Sequence, residues 1–112
     1  MYDSIQSEEL AQCAEILKEL KTKPGVEPFE NPVDWKALNL PDYPQIIKHP
    51  MDLATIGKKL SGGEYDSADE FAEDVRLVWK NAKRYNIPGS NIYMVAEVIE
   101  RAINKKKISI KF

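Results

Sequence analysis

The stretch "SADEFAEDVRLVWKNAKRYNIPGSNIY", residues 67–93, carries a helix start, an apolar face, a helix stop and a second start. Ser67 followed three residues later by Glu70 is a capping box, which satisfies backbone N–H groups of the first turn. Phe71, Val75, Val78, Ala82 and Tyr85 then recur at spacings of three and four, so one face of the helix is apolar. Pro88 disfavours helix at the residue before it, which predicts a stop by Asn86 or Ile87. "IPGS" is turn chemistry. A further helix begins near Ser90 or Asn91, with Ile92, Ala96, Ile99 and Ile103 on one face. The asparagine at the stop has two uses. It caps the helix, or it offers an amide to something that is not protein.

Upstream, Asp52 is a good N-cap for a short helix whose inner face is Leu53, Ile56 and Leu60. "SGG" at 61–63 ends it, with glycine available for the left-handed cap. A first helix covers roughly residues 4–22, with Leu10, Ala14, Leu17 and Leu20 as its stripe and "KPG" at 23–25 as its end. Between these two lies "PGVEPFENPVDWKALNLPDYPQIIKHPM", residues 24–51, which holds six of the seven prolines. It also holds Phe29, Val33, Trp35, Leu38, Leu40 and Tyr43, too much apolar surface for a floppy linker. Long loops in small domains are often functional, and prolines lower the entropy lost in fixing one. "PQIIK" suits one helical turn with Pro44 at its first position. Apart from a weak "ISIKF" tail there is no alternating, strand-like pattern. The expected fold is all-α, an up-down four-helix bundle with a long first inter-helix loop. In such a bundle the first and third loops share one end. A pocket there is lined by apolar loop residues and by whatever closes the third helix, which is Asn86.

A chain of 112 residues with 43% hydrophobic and 30% charged residues suits one domain with one core. No apolar run approaches the ~18 residues of a membrane span, and the acidic start "MYDSIQSEEL" does not read as a signal peptide. The lone Cys13 excludes an internal disulfide and suits packing. The net charge of −2 does not suit a phosphate-binding surface. "NKKKISIK" reads as a solvated helix end, where lysine also suits the helix dipole. No sequence-specific nucleic-acid binding and no membrane contact are expected. An enzyme is not expected either. His49 has no evident nucleophile beside it, no residue spacing matches a metal site, and "SGGEY" lacks the lysine and strand of a phosphate loop. No catalytic residue, cofactor or metal is assigned.

"PFENPVDWKALNLPDYPQIIKHPMDLATIGKKL" followed by "YDSADEFAEDVRLVWKNAKRYNIPGSNIY" resembles a bromodomain. The likeness runs over about residues 8–104, taken as the core of a single domain spanning 1–112 within a larger protein. "PVD…LNLPDY" is most similar to the type found in tandem-bromodomain transcriptional regulators. The resemblance implies a left-handed bundle whose two end loops form an acetyl-lysine pocket. Asn86 in "YN" would hold the acetyl carbonyl, and Tyr43 in "PDY" would reach it through an ordered water. Phe29, with Pro28 beside it, would form the floor near the acetyl methyl. Val33, Leu38 and Leu40 would line the wall, Ile92 would guard the entrance, and Tyr85 would pack next to Asn86. This sequence departs from some relatives in two places. Glu27 stands where they carry a tryptophan that forms an apolar shelf, which puts a charge near the rim. Pro44 follows Tyr43, where they have an aromatic or polar residue.

The physical chemistry agrees with that resemblance. Acetylation turns an ammonium into a neutral amide with a methyl cap. A narrow apolar pocket accepts this group and rejects the ammonium, which would be desolvated without a counter-ion. The expected partners are acetylated histone tails or other acetylated proteins, the expected compartment is the nucleus, and the isolated domain is expected to be monomeric. The alternatives are a helical interaction domain without acetyl-lysine specificity and, further off, a small hydrolase. The residues have plainer readings too: Asn86 as an end-cap, Tyr43 as a packed loop aromatic, and Phe29, Val33, Leu38 and Leu40 as core under the loop. Trp35 and Trp79 are read as structural. Asn81 is also a candidate amide, but, mid-helix and away from the turn, it is read as packing or solvent-facing.

Overall fold

The computed structural model describes residues 7–106, 110 and 112. Its described residues form six helices: α1 (Ser7–Leu20), α2 (Glu27–Glu30), α3 (Tyr43–Ile46), α4 (Leu53–Ser61), α5 (Ala68–Tyr85) and α6 (Asn91–Asn104). The four longer ones make the bundle, and α2 and α3 are single turns within the long first connection. No described helix is long and apolar enough to cross a membrane.

The helix α5 is the hub and packs against α1, α3, α4 and α6. Its buried face is wider than the expected stripe. Phe71, Val75, Val78 and Ala82 are buried as expected, and Ala72, Trp79 and Asn81 join them because neighbours cover α5 on several sides. The structural reading of Trp79 agrees with its full burial. The α6 stripe also matches, with Ala96, Ile99 and Ile103 buried and Ile92 half-buried.

The α1 stripe is corrected. Cys13, Ile16, Leu17 and Leu20 face the core, whereas Leu10 is 38% exposed and Ala14 is exposed. The 3.6-residue period was right, but the face is turned so that the larger Cys13 and Ile16, rather than Ala14, meet α4 and α5.

The local stop and start signals operate with small shifts. Asp52 caps α4, its carboxylate accepting Thr55 N–H at 2.9 Å and Thr55 Oγ1–H at 2.6 Å. Ser67 Oγ accepts the Glu70 N–H at 3.3 Å, and the Glu70 carboxylate reaches back to the Asp66 N–H, one residue before the expected cap. The left-handed glycine after α4 is Gly63, with φ +68°, while Gly62 keeps φ −84°. The helical turn at "PQIIK" begins at Tyr43, so Pro44 takes its second position. The turn α2 has no counterpart among the expected elements, because four residues are too few to show a period. Most of the "ISIKF" tail lies outside the described residues; within it, Ile110 is buried and Phe112 meets Phe71 edge-on at 6.3 Å.

Polar ties fasten the lower bundle. Asp74 Oδ2 accepts from Lys59 Nζ and from the Tyr65 hydroxyl, each at 2.7 Å. Burial, aided by that carboxylate, pushes the Tyr65 phenol well above its usual range.

Cys13 is fully buried on α1, and burial, with Glu9 nearby, pushes its thiol up to about 11 from its ordinary value near 9. Below pH ~9 both folded and unfolded chains keep this proton. Between ~9 and ~11 only the unfolded chain releases it, so stability falls as pH rises. Between pH 8 and pH 10, urea melts should show a loss of stability larger than that of Cys13→Ala by on the order of 1 kcal/mol, the raised tyrosines contributing equally to both. Equal pH dependence in both proteins would show that the thiol is not the group responsible.

Candidate functional site

The long connection and the α5–α6 turn meet at one end of the bundle and enclose a cavity of about 260 Å³. The C-terminal end of α5 supplies one wall through Val78, Ala82 and Asn86, which lie at i, i+4 and i+8 on one face.

Asn86 is the residue at which α5 stops, with φ −92° and ψ 150°. Its backbone N–H and its Nδ2 both donate to the Ala82 carbonyl, at 3.0 and 2.9 Å. One amide hydrogen therefore closes the helix end. An NH₂ group has two, and no described group takes the second; the residue lines the cavity. The end-cap reading and the ligand reading of this asparagine are thus compatible.

Tyr43 opens α3 and is buried, and burial pushes its phenol above the ordinary tyrosine range. Its ring meets Tyr85 edge-on, with centroids 4.9 Å apart and planes at 68°. The Tyr85 hydroxyl donates to Asp42 Oδ1 at 2.7 Å, and that carboxylate, followed by partial burial, pushes the Tyr85 phenol up. Tyr85 thus props Tyr43 from the side and latches the long loop to α5.

Phe29 lies on α2, buried, with its ring edge-on to Trp79 at 5.4 Å. Pro28 beside it is exposed. Val33, Leu40 and Ile92 are half-buried, and Leu38 is 61% exposed. All nine of the residues singled out from the sequence, Pro28, Phe29, Val33, Leu38, Leu40, Tyr43, Tyr85, Asn86 and Ile92, border this one cavity.

Besides Glu27, seven further residues line it that had no expected place there: Asn31, Pro32, Asp34, Met51, Val78, Asn81 and Ala82. Val78 and Ala82 were legible as part of the apolar stripe that runs into Asn86. Met51 carried no local signal. Asn81 corrects the expectation that it lies away from the turn. It is buried one turn below Asn86, lines the cavity, and its Nδ2 donates to the His49 carbonyl at 2.8 Å. Its partner lies 32 positions away in sequence, which no local pattern announces. Trp35 is half-buried, with the Lys36 ammonium 5.5 Å from its ring centre.

The bromodomain family profile matches residues 13–98, most of the chain. The chain is a bromodomain. It is similar to Bromodomain-containing factor 1 of Candida albicans, with 45% identity over 101 residues covering 88% of this chain and 14% of that protein. It is similar to Transcription factor GTE11 of Arabidopsis thaliana, with 45% identity over 92 residues covering 82% of this chain and 15% of that protein. The second bromodomain of Candida albicans Bdf1, solved in the unbound form, superimposes with a TM-score of 0.84 at 42% identity, over 90% of this chain and 96% of that one. This bromodomain spans about one-seventh of the length of the curated relatives it matches. A bromodomain is an acetyl-lysine reader module, and a helical docking domain without that specificity is not favoured.

Asn81→Ala should remove the part-buried bond that ties the His49 carbonyl to α5 and cost ~0.5–1.5 kcal/mol in denaturant unfolding. A loss under ~0.3 kcal/mol would show that this bond does not fasten the loop.

Proposed function

We propose that this bromodomain binds acetylated lysine on histone tails, and that it does so as a non-catalytic, monomeric module of a larger nuclear protein acting in transcription. The relatives named as a bromodomain-containing factor and a transcription factor, each several times longer than this chain, support the setting. The observation that carries the reading is the Asn86 amide on the cavity wall, held by the Ala82 carbonyl with a second hydrogen to spare.

In this reading Asn86 donates to the acetyl carbonyl. The Tyr43 hydroxyl, which has no partner among the described residues, takes the second lone pair through a water. Phe29 and Pro28 contact the methyl end, Val33, Leu38 and Leu40 flank the aliphatic stem, and Ile92 stands at the entrance beside Asn86. Tyr85 acts indirectly, through its contact with Tyr43 and its bond to Asp42. Val78, Ala82 and Met51 add apolar wall. These apolar groups favour a neutral amide over an ammonium: the two carboxylates that border the cavity, Glu27 and Asp34, are exposed, and an ammonium seated among the apolar residues would lose its water without a buried counter-ion. An amide and a phenol are recognition groups rather than nucleophiles, and the only thiol, Cys13, is buried in α1.

The buried acetamide is small, so net gains of ~1 kcal/mol per hydrogen bond and ~0.8 kcal/mol per carbon predict micromolar affinity or weaker for a single acetyl-lysine. Calorimetric titration beside thermal melts tests the assignment. Asn86→Ala should weaken binding of a singly acetylated peptide roughly five- to a hundredfold, following the ~1–3 kcal/mol of a lost buried partner. Its fold should survive with a loss near ~1 kcal/mol for the cap. Tyr43→Phe should cost less, because water can re-pair. Full affinity in a destabilised Asn86→Ala protein would make the asparagine a cap only.

A further inference from the structure

The cavity wall carries two carboxylates, Glu27 and Asp34, and no lysine, arginine or histidine. The acids around this end of the bundle are not equivalent. Asp34 Oδ1 already accepts the Ala37 N–H at 3.2 Å, and Asp42 Oδ1 accepts the Tyr85 hydroxyl. Glu27 opens α2, is exposed, and makes no hydrogen bond or ion pair with any described residue. Between Phe29 and Tyr43 the one cation, Lys36, sits over the Trp35 ring.

We propose that Glu27 is a specificity-determining residue, which selects an acetyl-lysine that has a lysine or arginine within two positions of it in the peptide. This rests on the acetyl-lysine reading given above. When the acetamide enters the cavity, the peptide main chain is held at the mouth. Two residues of extended chain span at most ~7 Å, so a cationic side chain two positions away reaches the rim on its own flexible stem. An apolar neighbour would strip water from the Glu27 carboxylate and give nothing back, whereas an ammonium or guanidinium compensates it. The contact is exposed, so its effect is modest. Exposed ion pairs correspond to a roughly two- to fivefold change in affinity, and salt weakens them.

The test uses the intact 112-residue chain and two peptides, each with one central acetyl-lysine. One carries lysine two positions to either side; the other carries norleucine there, which keeps the stem and removes the charge. Titration at ionic strengths of ~0.05 M and ~0.5 M brackets strong and weak screening. The wild type should prefer the cationic peptide about two- to fivefold at low salt, and less at high salt. In Glu27→Gln the ratio of the two affinities should fall to about one, while Asp34→Asn keeps most of it. Equal binding of both peptides by the wild type overturns the proposal and leaves the acetyl-lysine reading standing. A preference that persists in Glu27→Gln also overturns it, and assigns the selectivity to another group. Failure of the wild type to bind either peptide overturns the acetyl-lysine reading and this proposal together.

Discussion

Pro88 cannot donate a backbone hydrogen bond and disfavours helix at the residue before it. The chain therefore leaves α5 at Tyr85 and passes Asn86 in an extended conformation. Where that stop falls fixes the rest of the site. The Ala82 carbonyl accepts the last regular helical N–H of α5, that of Asn86, and the Asn86 side chain donates to the same oxygen. The orientation of the amide is thus set by helix termination rather than by the ligand. Because α5 packs on α1, α3, α4 and α6, the position of its end is among the most constrained in the molecule.

The opposite wall is a long loop, and loops of this length usually move. Here three side chains from the last turns of α5 hold it. Asn81 bonds the His49 carbonyl, Arg84 Nε donates to the Ile46 carbonyl at 3.2 Å, and Tyr85 bonds Asp42. Six prolines reduce the freedom that the unfolded loop would otherwise lose. The cavity is consequently formed before any ligand arrives. Preorganisation of this kind limits the ordering cost that would otherwise consume the small gain from one buried acetamide.

The elements with strong periodicity and clear caps, α4, α5 and α6, were readable to within a residue or two, since capping and the 3.6-residue repeat are local properties. The phase of α1 was not, because its two candidate faces differ by few apolar atoms and only contact with α4 and α5 chooses between them. The turn α2 is too short to carry a period. At the site, Phe29, Tyr43 and Asn86 were singled out through a family motif. Their local chemistry alone would equally describe a core aromatic, a loop aromatic and a helix cap. Asn81 was set aside as mid-helix and Met51 carried no signal, because their surroundings are made by residues distant in sequence. Their placement is a tertiary property.

The central proposal is that a preformed, largely apolar cavity, with the Asn86 amide fixed on its wall, senses the removal of charge from a lysine. The most direct measurement is the pair of Asn86 side-chain amide proton resonances, followed by NMR during titration with matched acetylated and unmodified peptides. The account predicts that the acetylated peptide shifts this pair, along with the Tyr43 and Ile92 signals, while the unmodified peptide at the same concentration leaves them in place. It would be contradicted by equal shifts with both peptides, or by shifts confined to the exposed Met94 and Val98 on α6 with Asn86 unmoved.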